Sequence, residues 1–110
     1  DYDREIALVA VRTEHDAEVM LGVARVIGTR GGEEGEFAVV VADAWQGRGI
    51  GAELLRRCLD IAMKRGMRTV HGTALRQNRK MVELARHLGF EVRLDQEENQ
   101  YDMRICRDDS

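Results

Sequence analysis

Proline is missing altogether from this 110-residue chain, and cysteine occurs only twice, at Cys58 and Cys106. Two cysteines this far apart form neither a disulfide framework nor a metal-ligand spacing. Both are expected as small buried hydrophobes in a reducing, cytoplasmic setting, with no metal. No apolar run nears the roughly 18 residues that a membrane-spanning helix needs, so no membrane partner is expected. A basic excess is also lacking: the formal net charge is -3, which argues against a nucleic-acid partner. The lack of proline carries no functional message.

What is present is the composition of one globular domain, with 44% hydrophobic and 34% charged residues. Residues 4–12 read as a strand with Ile6, Leu8 and Ala10 on one face and Ala7, Val9 and Val11 on the other. Both faces are apolar, so this strand is expected to be covered on both sides. His15-Asp16-Ala17 reads as a hairpin turn, residues 18–27 as a second strand, and 28–35 as a flexible glycine-rich loop. The most apolar strand covers 36–42. Ile50, Leu54, Leu55, Cys58, Ile61 and Ala62 then repeat at helical spacing, and Gly66 stops that helix. A strand at 69–75 follows. Asn78 precedes a short helix with Met81, Val82, Ala85 and Leu88 on its apolar stripe, ended by Gly89. Strands at 90–94 and 101–106 close the chain around the acidic loop 95–100. Hairpins at the front predict antiparallel pairing, and the central strand–helix–strand unit predicts one parallel pair.

Between the third strand and the first helix runs Trp45-Gln46-Gly47-Arg48-Gly49-Ile50-Gly51-Ala52-Glu53. Glycines without side chains let backbone N–H groups face an anion, and the helix start adds unpaired donors and a positive dipole end. The run is not a Walker loop, because no Lys-Ser/Thr pair follows it. Its G-x-G-x-G spacing is not the dinucleotide fingerprint either.

The spacing it does carry is Q-x-x-G-x-G, on Gln46, Gly49 and Gly51. This resembles the acyl-CoA pyrophosphate loop of the GNAT acetyltransferase superfamily. Val39-Val40-Val41 is similar to the strand that lines the pantetheine arm there. Asn78-x-x-Met81-Val82-x-Leu84, closing on Leu88-Gly89-Phe90, is similar to the second signature of that superfamily. The resemblance implies an α/β (α+β) fold, with a mixed, mostly antiparallel sheet of about six strands flanked by two helices. Acetyl-CoA is the implied co-substrate. Backbone N–H groups of Gly47, Arg48, Gly49, Ile50, Gly51 and Ala52 would hold its pyrophosphate, with Arg48 adding a charge-assisted contact. Val39 and Val41 would pair their backbone with the acetyl and pantetheine groups, the Val39 amide serving as oxyanion donor. Asn78 would reach the pantetheine arm, cap the second helix, or do both.

Acetyl transfer needs a neutral amine. A lysine side chain with pKa about 10.4 is neutral about one time in two thousand at pH 7, a deficit of about 4.6 kcal/mol. A positioned base contributes about 10²–10⁴ in rate. Glu36, just upstream of Val39 and beside Phe37 and the valines, is the expected base, in an apolar neighbourhood that would raise its pKa. Glu33, Glu34 and His71 are its rivals.

Residues 35–41 and 81–90 are most similar to the Pat-type protein lysine acetyltransferases, bacterial domains often fused to an acyl-CoA-synthetase-like region. That resemblance also lands the base on Glu36. It implies a protein acceptor presenting lysine, with an acyl-CoA synthetase among the candidates. A GNAT enzyme for a small amine and a non-catalytic acetyl-CoA-sensing module are the alternatives. Two departures stand out. The position where many members carry a general-acid tyrosine is Ala85, and Tyr101 lies too far along to replace it by alignment. The strand and two helices that open the family fold have no counterpart before residue 4, so residues 1–110 are expected to be one GNAT domain excised from a longer chain. The acidic loop at 95–100 is a candidate attractor for a basic acceptor surface.

Overall fold

The computed structural model describes residues 5–29 and 31–106. Arg4, placed in the first strand by the sequence, lies outside them, as does Arg30 of the expected glycine-rich loop. Six strands and two helices follow one another as β1 (Glu5–Glu14), β2 (Ala17–Gly28), β3 (Glu34–Val41), α1 (Ile50–Lys64), β4 (Thr69–Leu75), α2 (Arg79–His87), β5 (Glu91–Asp95) and β6 (Gln100–Cys106). A single 3₁₀ turn, Asp43–Trp45, separates β3 from the glycine run.

The strands form one sheet in the order β1-β2-β3-β4-β6-β5. Every neighbouring pair is antiparallel except β3 and β4. The β1–β2 hairpin turns on His15 (φ 50°) and Asp16 (φ 67°). Two successive left-handed residues match the right-handed twist of the strands they join. Ala17, expected in the turn, already belongs to β2. The β3–α1–β4 crossover supplies the parallel pair, as the sequence pattern predicts.

Both helices end alike. Past α1, Met67 N donates to Ala62 O (3.1 Å) around Gly66; past α2, Phe90 N donates to Ala85 O (2.9 Å) around Gly89. Gly66 (φ 101°) and Gly89 (φ 96°) take the left-handed conformation this closure needs.

Leu54, Leu55, Cys58, Leu59 and Ala62 of α1 pack with Ile6, Ala24 and Val26 of the sheet. Phe37 and Phe90 stack at 5.0 Å with planes tilted by 57°. Gly72 lets the Phe37 ring lie on β4, since a Cβ there would sit 2.4 Å from the ring.

Two expectations are corrected. β1 is an edge strand covered on one side only. Ile6 is buried and Leu8 and Ala10 are half-buried, but Ala7, Val9 and Val11 are exposed. Of the two helices, α1 lies against the Ile6 side and α2 packs on α1, β5 and β6, so neither covers the other row. Cys58 is buried as expected and its thiol donates to Ala24 O (3.4 Å), burial pushing its pKa up. Cys106, by contrast, is exposed at the end of β6, 3.7 Å from the Thr69 hydroxyl.

Candidate active site

β3 and β4 stay paired for three residues only, Glu34, Gly35 and Glu36 against Thr69, Val70 and His71. Beyond that rung the strands part. Which groups of β3 face the gap follows from its other edge. Ala42 N donates to Leu21 O at 2.8 Å. Antiparallel pairs alternate, so the backbone groups of Ala38 and Val40 face β2, and those of Val39 and Val41 face the gap. An extended arm laid there would find a strand edge with free amides.

The glycine run stands at the end of this gap. Gly47 (φ 78°) and Gly49 (φ 84°) adopt left-handed conformations that β-carbons disfavour. Gly49 is the N-cap of α1 and provides no side-chain cap. The first backbone bond of the helix runs from Glu53 N to Gly49 O (3.0 Å). The N–H groups of Ile50, Gly51 and Ala52, in the first turn, therefore have no intrahelical acceptor, and the positive end of a 15-residue helix is left for an anion. The turn is braced from behind. Glu53 accepts from Arg56 Nη2 (2.6 Å) and Arg57 Nε (2.7 Å). These bonds, that from Arg56 first, lower its pKa from 4.5 to about 2.

The predicted binding residues divide by role. Gly51 is buried; a Cβ on it would meet Leu84 Cδ1 at 3.0 Å, Val41 Cγ2 at 3.2 Å and Val39 Cγ1 at 3.4 Å. Its glycine serves close packing of α1 on β3 and α2, beside whatever its N–H does. The Gln46 amide donates to Val41 O (3.2 Å) and Asp43 Oδ1 (3.2 Å), so its side chain holds the loop to the end of β3. Arg48 lies over the Trp45 ring at 4.7 Å, with Arg12 on the same ring at 5.3 Å. Asn78 Oδ1 accepts from Met81 N (3.2 Å), the capping role offered for it.

Glu36 marks the rung where the strands separate. The expected apolar neighbourhood is not there: Glu36 is exposed. Phe37, adjacent in sequence, points to the opposite face, as alternation along a strand requires. Its lateral neighbours are Ile27 and His71. Glu33 and Glu34 are exposed at the start of β3. Ala85 is fully buried in the core, and Tyr101 stands on β6 opposite Ala74, one strand beyond the gap.

Lys80 was not singled out from the sequence. Its ammonium donates to Gln46 Oε1 (3.3 Å), bringing a positive charge from α2 onto the glycine loop. Its only sequence signal is a place two residues after Asn78; the contact spans 34 positions.

A sheet parted between two parallel strands, with an uncapped glycine-led helix start at the gap, defines an acyl-CoA-type transferase fold. The acetyltransferase (GNAT) family model matches residues 1–90, and the chain belongs to that family, whose co-substrate is acetyl-CoA. It is 33% identical over 90 residues to an acetyltransferase of Pseudomonas aeruginosa, covering 82% of this chain and 48% of the relative. The chain thus spans about half the length of that curated relative. Among solved structures it is similar to the GNAT domain of S. lividans PAT, with TM-score 0.78 and 24% identity over 94% of this chain and 61% of that one. It is also similar to a spermidine N-acetyltransferase from Vibrio cholerae in complex with CoA and spermine, with TM-score 0.75 and 18% identity over 94% and 66% of the two chains. At these identities the structural likenesses establish the fold. Among the described residues no helix is long and apolar enough to cross a membrane.

Proposed function

We propose that this chain transfers the acetyl group of acetyl-CoA to the side-chain amine of a protein lysine, by direct attack in a ternary complex. The observation that carries the reading is the parting of β3 and β4 beyond Glu36 and His71, with the amides of Val39 and Val41 turned into the gap. In it, the N–H groups from Gly47 to Ala52 take the pyrophosphate. Lys80 and Arg48 supply positive charge, and Gln46 positions the loop. The Val39 amide donates to the oxygen on which charge develops. Glu36 takes a proton from the incoming ammonium. Its exposure on the face away from both helices leaves it open to a bulky acceptor. Ala85, in the core, brings no acid group to the position of the family tyrosine, and the thiolate leaves as such or takes its proton from water. The reading regards residues 1–110 as a catalytic domain of a longer protein working in the cytoplasm.

A polyamine or other small amine is the second reading, favoured by the fold shared with the spermidine enzyme. Labelled acetyl-CoA offered with poly-L-lysine and with spermidine in parallel separates the two. Label on poly-L-lysine is expected. Label on spermidine alone replaces the protein acceptor with a small one. Binding of acetyl-CoA without transfer to either amine leaves a sensing module.

A further inference from the structure

Glu36 and His71 compete for one role when only the sequence is read. In the sheet they are register partners on the last paired rung of β3 and β4. Register partners on adjacent strands share a face and lie about 4.8 Å apart across the sheet. Glu36 is exposed and His71 half-buried on the face away from the helices. Arg104 of β6 flanks His71 on its other side, and Glu91 stands beyond it. Glu34, Arg25, Asp102 and Arg93 are the charged groups one rung away on the same face. The histidine thus stands in register between a carboxylate-bearing and a guanidinium-bearing residue, partly open to solvent, where the strands separate.

The chemistry of the transfer asks for two proton removals. The acceptor arrives as an ammonium. It gives one proton to the Glu36 carboxylate, and the freed lone pair forms the C–N bond at the thioester carbonyl. The C–S bond breaks, its electron pair leaving on sulfur, and the nitrogen, now an amide, sheds a second proton. One carboxylate holds only one of these. We infer that His71 relays protons from Glu36 to solvent, emptying the base for the second removal within the same turnover. Imidazole suits this because it exchanges protons with water near neutral pH. His71 acts through Glu36 and does not touch the acceptor, so the inference rests on the reading of Glu36 as base.

The test compares His71→Asn, His71→Gln and Glu36→Gln with the unaltered chain, using acetyl-CoA and poly-L-lysine and following thiol release from pH 5.5 to 9.5 (on the order of the range a histidine relay spans). Both His71 replacements are expected to lower kcat at neutral pH by about 10- to 100-fold, the low end for a proton-transfer group, with KM for acetyl-CoA unchanged. Below neutrality log kcat/KM should depend less steeply on pH in both His71 variants than in the unaltered chain, because one required deprotonation disappears. A fourth variant, His71→Gly, should be slow and regain rate on adding imidazole. Wild-type rate and slope in both His71 variants overturn the relay; if Glu36→Gln is slow at the same time, the base reading survives alone. Full rate in Glu36→Gln overturns base and relay together. A thermal shift on adding acetyl-CoA establishes that each variant is folded.

Discussion

Glu36 and Lys80 serve the same site in different ways, and substitutions should separate them. Glu36→Gln keeps shape and removes the proton acceptor. It is expected to lower kcat by about 10²–10⁴ while leaving acetyl-CoA affinity unchanged, as read by steady-state kinetics and calorimetry. Lys80→Ala should do the reverse, weakening acetyl-CoA binding with kcat nearly intact. Because Lys80 acts at an exposed loop, the loss should shrink as salt rises through about 1 M, where the Debye length is about 3 Å. An equal loss at low and high salt would mean that the Gln46 hydrogen bond, not the charge, is what matters. At this scale the glycines and Asn78 were legible, because positive φ and capping are demands a residue meets locally. Lys80 was not, since its partner is on another element.

At the scale of the element, α1 is seated by what Gly51 lacks. Gly51→Val would press on Leu84, Val41 and Val39, already 3.0 to 3.4 Å from a single Cβ. Overpacking of this kind costs about 1–3 kcal/mol, readable as a lowered denaturation midpoint. Asn78→Ala removes the α2 cap and should cost about 1 kcal/mol. If Asn78 also holds the pantetheine arm, KM for acetyl-CoA rises further than this loss of stability explains. The first turn of α1 carries a pH signature. Glu53 has its pKa lowered to about 2 by the Arg56 and then the Arg57 bonds. A lowered carboxylate stabilises the folded state above its ordinary value of 4.5 and loses that contribution as pH falls through about 2. Midpoints measured across that window should decline more in the wild type than in Glu53→Gln. The effect is modest, since exposed pairs are screened by water. Element types and caps were readable from periodicity and glycine placement. The ends moved by a residue or two, as at Glu34 and Gln100, where strand pairing extends beyond the apolar run.

At the scale of the whole molecule, the helices among the described residues cover one face of the sheet and leave the other open. Val9 (51% exposed), Val11 (49%), Met20 (59%) and Val40 (65%) stand on the open face. An apolar-sensitive dye should therefore bind the isolated chain. Val9→Thr combined with Val40→Thr should reduce that binding while changing stability by only about 0.5 kcal/mol for each. Unchanged dye binding would place the apolar surface elsewhere. The sequence pattern of β1, apolar on both sides, suggests a strand enclosed on both faces; periodicity reports which residues tolerate burial, not whether anything is there to bury them.

The amino-acid sequence by itself determined the order and kind of the elements, the stops at Gly66 and Gly89, and the glycine turn that opens α1 without a side-chain cap. Each of these is set by neighbours within a few positions along the chain. Only the tertiary structure decided that β3 and β4 part after one short parallel stretch, that Glu36 and His71 share its last rung, and that Lys80 reaches Gln46. These depend on register and packing between segments tens of residues apart, and a register is chosen by the whole sheet and the helices on it.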